Sequence, residues 1–167
     1  MPHPSASWSF EEEDARRIDR LLRSFLKESG SRSACLVDRT GQLILFSGER
    51  PGFDSIAFAS LAAADFSAND QLAAMIGEQE FASLFHQGEK ESMYLVDVAK
   101  RFILIILFDE RTTLGMIRIK VRRTVRELGR VFTELFDRVT SPRGLRSSEP
   151  TWADEAEEEI DRLFGTR

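Results

Sequence analysis

The sequence predicts an α/β fold of the α+β kind: a mainly antiparallel five-stranded sheet between helices one and three on one face and helix two on the other. Three observations lead there. Residues 102–108 read FILIILF, an apolar run without alternation, which is the pattern of a central strand covered on both faces. Three longer stretches repeat apolar residues at helical spacing. Between them, the strand-like runs are joined by turns too short for parallel crossovers, so their pairing is antiparallel.

Helix one opens on Ser9 followed by Glu12, the spacing of a capping box, and the acids EEED favour the positive end of the helix dipole. Ile18, Leu21, Leu22, Phe25 and Leu26 define its buried face, and Ser29-Gly30 supplies the stop. Strands follow at 33–38 and 42–47, flanking DRTG, whose glycine suits a short hairpin loop. Helix two starts at Asp54, with Phe53 and Phe58 placed as a hydrophobic staple. Its apolar residues Phe58, Leu61, Ala62, Leu72, Met75 and Ile76 read as the core face, and Gly77 as the end. Asp65 and Asn69-Asp70 interrupt that pattern and predict a kink or break near 66–71. The other face is small: Ser60, Ala63, Ala64, Ser67, Ala74. Alanine is simply the best helix former, but small side chains also let another backbone approach closely.

Three more strands are expected at 84–88, 92–99 and 101–108. The stretch 113–123 alternates like a strand, yet Leu114, Ile117, Val121, Leu128, Phe132 and Leu135 keep helical spacing beyond twenty residues, so length decides for helix three at 113–138. TSPRGLRSSEPT at 140–151 is a tether. Beyond it, Thr151 caps a short amphipathic acidic helix in which Trp152, Ala156, Ile160, Leu163 and Phe164 form one stripe. The domains are therefore 9–139, a linker at 140–151 and an interaction helix at 152–167.

Composition narrows the function. The 42% hydrophobic content suffices for a core, and a net charge of −5 argues against nucleic acid as the default partner. Residues 111–130 are nevertheless basic and 149–161 acidic. The single cysteine, Cys35, sits in an apolar run and reads as a core residue. No signal-peptide pattern or membrane-length apolar run is present, so a soluble cytoplasmic protein is expected. Neither a phosphate-binding glycine loop, a nucleophile elbow nor HExxH occurs, and His3 and His86 have no metal-ligand spacing. Self-contained catalysis and a cofactor are not expected. Arg111, at a strand end, is placed to reach a partner's phosphate, because a guanidinium stabilises transferred phosphoryl charge. Pairing with Asp109 or Glu110 is its plainer role.

The order of elements and the segments LVDRTGQLI (36–44), DSIAFASLAA (54–63), IGEQEF (76–81), FHQGEKESMYL (85–95), FDERTTLGMIRIKV (108–121) and EEIDRLF (158–164) resemble the roadblock/LC7 family, and within it the bacterial MglB proteins that regulate the small Ras-like GTPase MglA. The resemblance implies a homodimer with sheets joined edge to edge and the paired second helices forming a platform for one GTPase. It further implies acceleration of GTP hydrolysis without an arginine finger, in cell polarity or motility, with concentration at a cell pole. Carried over by position, the platform is Ser60, Ala63, Ala64, Ser67, Ala68 and Gln71, and a second contact is Trp152, Ile160, Leu163 and Phe164. In the family this terminal segment docks on the GTPase away from its switch face. The acidic tail folding back on the basic third helix is the other reading. Asp65, Phe66, Asn69 and Asp70 depart from the Gly/Ala-rich stretch usual in these relatives. A scaffold that binds a GTPase without accelerating hydrolysis is the alternative function.

Overall fold

The computed structural model describes residues 10–140. Within them run α1 (Glu12–Ser29), β1 (Ser33–Asp38), β2 (Leu43–Gly48), α2 (Ser55–Met75), β3 (Ser83–Gln87), β4 (Ser92–Val98), β5 (Phe102–Phe108) and α3 (Leu114–Thr140). The Ser9 cap, the tether beyond Thr140 and the terminal helix lie outside the described residues. The described residues up to Val131 form one compact unit, and those from Phe132 belong to a second. In the second, the rings of Phe132 and Phe136 stack 6.5 Å apart, about one helical turn from each other.

The sheet has the order β2-β1-β5-β4-β3, and every neighbouring pair is antiparallel. β5 occupies the centre, as its non-alternating sequence requires. Its residues Phe102 to Ile106 are all buried, because side chains on both faces meet other layers. Register sorts those faces. Cys35 and Leu95 both lie opposite Ile105, and Val37 lies opposite Ile103. These residues pack with Ala59, Ala62, Ala63 and Phe66 of α2 in one core cluster. Leu36, Leu104, Ile106 and Tyr94 point to the other face, where α1 lies along β1 and β2 and Val121 of α3 lies beside Tyr94. Burial in the α2-side cluster pushes the Cys35 thiol up to about 12, so it is a packing group and not a nucleophile.

Local chemistry sets the element ends. α1 has Glu11 at its N-cap position with no side-chain cap bond, so Glu12, Glu13 and Asp14 in the first turn carry that end through their charge. The N-cap position thus falls two residues after Ser9, the expected cap, whose own placement is outside the described residues. At the other end Gly30 takes φ 74° and its N–H bonds the Leu26 carbonyl at 3.0 Å. Ile18, Leu22, Phe25 and Leu26 are buried as their spacing predicts, while Leu21 is half-buried. In the β1–β2 turn the Asp38 carboxylate accepts from Thr40 N and Gln42 N, both at 2.9 Å. The Asp54 carboxylate caps α2, accepting from Ile56 N at 2.9 Å, and the rings of Phe53 and Phe58 meet at 4.8 Å as a staple. α2 ends where Gly77, at φ 86°, donates to Ala74 O and Glu78 N donates to Ala73 O, a Schellman closure.

Two readings of α2 are overturned. The helix runs unbroken from Ser55 to Met75, without the expected interruption near 66–71. Asn69 points inward, while Asp65 and Asp70 are held by partners on the sheet side, so these residues serve tertiary contacts and not a helix break. The core face is also different. Ala59, Ala62, Ala63, Phe66, Asn69 and Ala73 are buried, whereas Leu61, Leu72, Met75 and Ile76 are 57–82% exposed. Of the residues expected in the core, only Ala62 is buried and Phe58 half-buried. α2 lies close to the sheet through alanines, and the one large inward side chain, Phe66, fills the gap.

Phe66→Ala is expected to cost about 3–5 kcal/mol through lost burial and a residual cavity. Urea unfolding should show a lower midpoint with an unchanged slope.

Candidate partner-binding surface

The seating of α2 determines which of its residues face outward. At one point its backbone nearly touches the β1–β2 turn: a Cβ added to Gly41 would stand 2.9 Å from the Ser60 Cα, and Gly41 has φ 94°. No other residue meets both demands. Farther along, Arg39 reaches under the helix from the same turn. Its guanidinium lies 4.8 Å from the Phe66 ring centroid, donates to the Asp70 carboxylate at 2.7 Å and pairs with Asp97 of β4. Asp97 in turn accepts from Lys100 N at 3.0 Å in the β4–β5 turn, where Ala99 and Lys100 both take positive φ. One arginine thus ties two turns and α2 together. A second tie is His86 of β3, whose Nε2 lies 2.6 Å from an Asp65 carboxylate oxygen.

With the inner arc fixed on Ala59, Ala62, Ala63, Phe66 and Ala73, the helical repeat of about 100° per residue decides the rest. Ser60, Ala64, Ser67, Ala68 and Gln71 are exposed together on one side. Ala63, placed with them from sequence, is buried against the sheet at 4% exposure, because its position belongs to the inner arc. Leu61, Leu72 and Met75 adjoin the small residues on the outside, not in the core where their spacing puts them. The outer surface is consequently a strip of small side chains bordered by large apolar ones. Such a contiguous exposed apolar strip marks an interaction site more often than an ordinary surface. Phe66, flanked by alanines at helical spacing, is the signal in the sequence for the true inner face. Trp152, Ile160, Leu163 and Phe164 lie outside the described residues.

Among the described residues β3 is an edge strand, bonded only to β4, and borders α2 through His86. Its free edge is open to pairing with another strand.

Arg111 takes the plainer role. Its Nε lies 2.9 Å from the Asp109 carboxylate, and its Nη2 lies 3.0 Å from Glu49. Arg32 extends the network, bonding Glu49 at 2.8 Å and pairing with Glu91. Hydrogen bonds from Arg32 and then Arg111 hold the Glu49 carboxyl below its usual range, and the Arg111 bonds do the same for Asp109.

A model of the Roadblock/LC7 domain matches residues 17–108. The chain belongs to the roadblock/LC7 family. The match runs from within α1 through β5, the elements that seat the α2 strip. Among solved structures, Myxococcus xanthus MglB is similar, with a TM-score of 0.71 at 36% identity over 75% of this chain and 94% of that one. The gliding protein MglB of Thermus thermophilus gives 0.70 at 27% identity, over 75% of this chain and 95% of that one. An MglB with a tetrameric arrangement gives 0.71 at 27% identity, with the same coverage of each chain. The uncharacterized protein MJ1340 of Methanocaldococcus jannaschii is 30% identical over 116 residues, 69% of this roadblock chain and 99% of its own length.

Arg39→Ala strips Asp97 and Asp70 of their cation and should cost about 1.5–3 kcal/mol, as hydrogen bonds to charged groups do. Amide exchange in the second half of α2 should quicken more than exchange in α1.

The acidic network predicts a pH dependence as well. Folding lowers the Glu49 and Asp109 values from 4.5 and 3.8, so their stabilisation is present above those values and is lost as the pH falls through the lowered ones. Thermal melts below pH 4.5 should therefore fall less steeply for Glu49→Gln than for the parent chain, and high salt should shrink the difference.

Proposed function

We propose that this roadblock protein is a homodimeric activator of GTP hydrolysis by an MglA-type small Ras-like GTPase, in bacterial cell polarity or motility. The observation that carries the reading is the outward strip of α2, small-residued and apolar, on a chain similar to MglB of two bacteria. Two protomers pair through their β3 edges, and their α2 helices form one platform. The platform receives the switch regions of a single GTPase on Ser60, Ala64, Ser67, Ala68 and Gln71, with Leu61 and Leu72 alongside.

Activation works by population shift. A dimer that binds the aligned switch conformation more tightly than the misaligned one raises the hydrolysis-competent fraction by its differential affinity, tenfold for about 1.4 kcal/mol. The binding of Arg111 by Asp109 and Glu49 supports a mechanism without an arginine finger from this chain. Trp152, Ile160, Leu163 and Phe164 form a second contact on the GTPase away from its switch face. Full burial would contribute roughly 1.5–3 kcal/mol for each large apolar side chain, less the cost of ordering. The linker at 140–151 raises the segment's effective concentration once the platform is engaged.

Single-turnover GTP hydrolysis by an MglA-like GTPase, with and without this protein, tests the reading. Faster hydrolysis is expected. Demonstrated saturating binding with an unchanged rate would instead establish a scaffold. Ala64→Arg places a charge in the middle of the strip and should abolish GTPase binding while light scattering still reports a folded dimer. Dissociation of the dimer by this change would remove Ala64 from the GTPase face.

A further inference from the structure

The sheet face opposite α2 holds a groove of about 780 Å³ between α3 and the β3–β4 edge. Its lining includes Tyr94, Val96, Val121 and Val125 along the floor and the arginines Arg118, Arg122 and Arg126 along one wall. None of the three is assigned a role by the GTPase reading, whose platform lies on the other side of the sheet.

The arginine row is set apart by its neighbours along the helix. Arg16, Arg23 and Arg123 each pair with a carboxylate four residues away on the same helix. The neighbours of Arg122 and Arg126 at that spacing are all arginines: Arg118, Arg122, Arg126 and, beyond the groove lining, Arg130. Among the described residues, none of the three makes an ion pair or a side-chain hydrogen bond. Like charges at this spacing destabilise a helix, so an anionic ligand along the row would relieve a repulsion within α3. It runs about 12 Å along the helix, three regularly spaced cations one turn apart. Beside it the floor is apolar, with Tyr94 and Val121 buried and Val96 and Val125 half-buried.

We propose that this groove docks an acidic amphipathic helix of another protein. Carboxylates at every fourth position of that helix face Arg118, Arg122 and Arg126, and an adjacent apolar stripe enters the floor. The charge row fixes register and orientation, and the half-buried Val96 and Val125 supply the apolar area left to cover. An amphipathic helix can meet the charge row and the apolar residues beside it at once, which suits a peptide. The chain's net charge of −5 also opposes a general attraction to polyanions.

The test uses the full chain and a fluorescein-labelled synthetic helix with Glu at every fourth position and Leu and Phe on the neighbouring stripe, followed by anisotropy. A peptide of identical composition in scrambled order, anionic phosphatidylglycerol vesicles and a single-stranded oligonucleotide are the comparison ligands. The patterned peptide is expected to bind. Arg122→Glu and Arg126→Glu should each weaken it roughly tenfold, and Arg50→Glu, the same charge change on an exposed residue away from α3, should leave it unaltered. Arg122→Glu also gives Arg118 and Arg126 an acid at four residues, so its melting temperature should stay level or rise. Loss of binding in a chain that melts no lower than the parent separates docking from misfolding. Equal binding of the scrambled peptide, equal loss in Arg50→Glu, or binding of the vesicles or oligonucleotide but not the peptide would overturn the proposal. So would peptide binding that appears only after residues 141–167 are removed, since the occupant would then be this chain's own tail.

Discussion

The fit of α2 against the sheet governs the molecule. Phe66 fills the space between helix and strands, flanked by alanines that let the backbone come close, while Arg39 stacks over its ring and reaches Asp70 and Asp97. Gly41 permits the β1–β2 turn to touch the helix near Ser60. A shift by one residue would turn the helix by about 100°. It would withdraw Phe66 from the core and drive polar groups into it. The rotational setting of α2 is therefore fixed from inside, and the outer strip inherits its composition from that setting.

The polar residues of α2 act in the same way. Asp65 pairs with His86 and Asp70 with Arg39, at the β3 side and the turn end of the helix respectively. They do not disturb the helix, because each carboxylate has a cation or imidazole from the sheet side. The two sides of the sheet diverge in chemistry as a result. The α2 side presents small and apolar groups held by internal ties. The α3 side presents cations with no partner among the described residues, beside Tyr94, Val96, Val121 and Val125. Such a division gives one small domain two surfaces that do not compete for the same kind of ligand.

Most of the architecture was legible in the sequence. The central place of β5 followed from FILIILF, the α1 face from Ile18, Leu22 and Phe25, and the α3 helix from spacing sustained past the length of a strand. The α2 orientation was not. Apolar residues lie on both sides of that helix, so their periodicity names no single face. Burial is the usual fate of large apolar side chains, which points Leu61, Leu72 and Met75 toward the core. Here they are outside, and alanines are inside, since close helix–sheet approach leaves room for one large ring and little else.

By itself, the sequence determined the elements, their order, their end signals and the two-sided burial of the middle strand, because these depend on residues near one another in the chain. The tertiary structure decided which arc of α2 faces outward, that Ala63 is buried while Ala64 is not, and that Arg39 joins residues 70 and 97. Those outcomes depend on volumes and charges brought together from distant parts of the chain, and no local period encodes them.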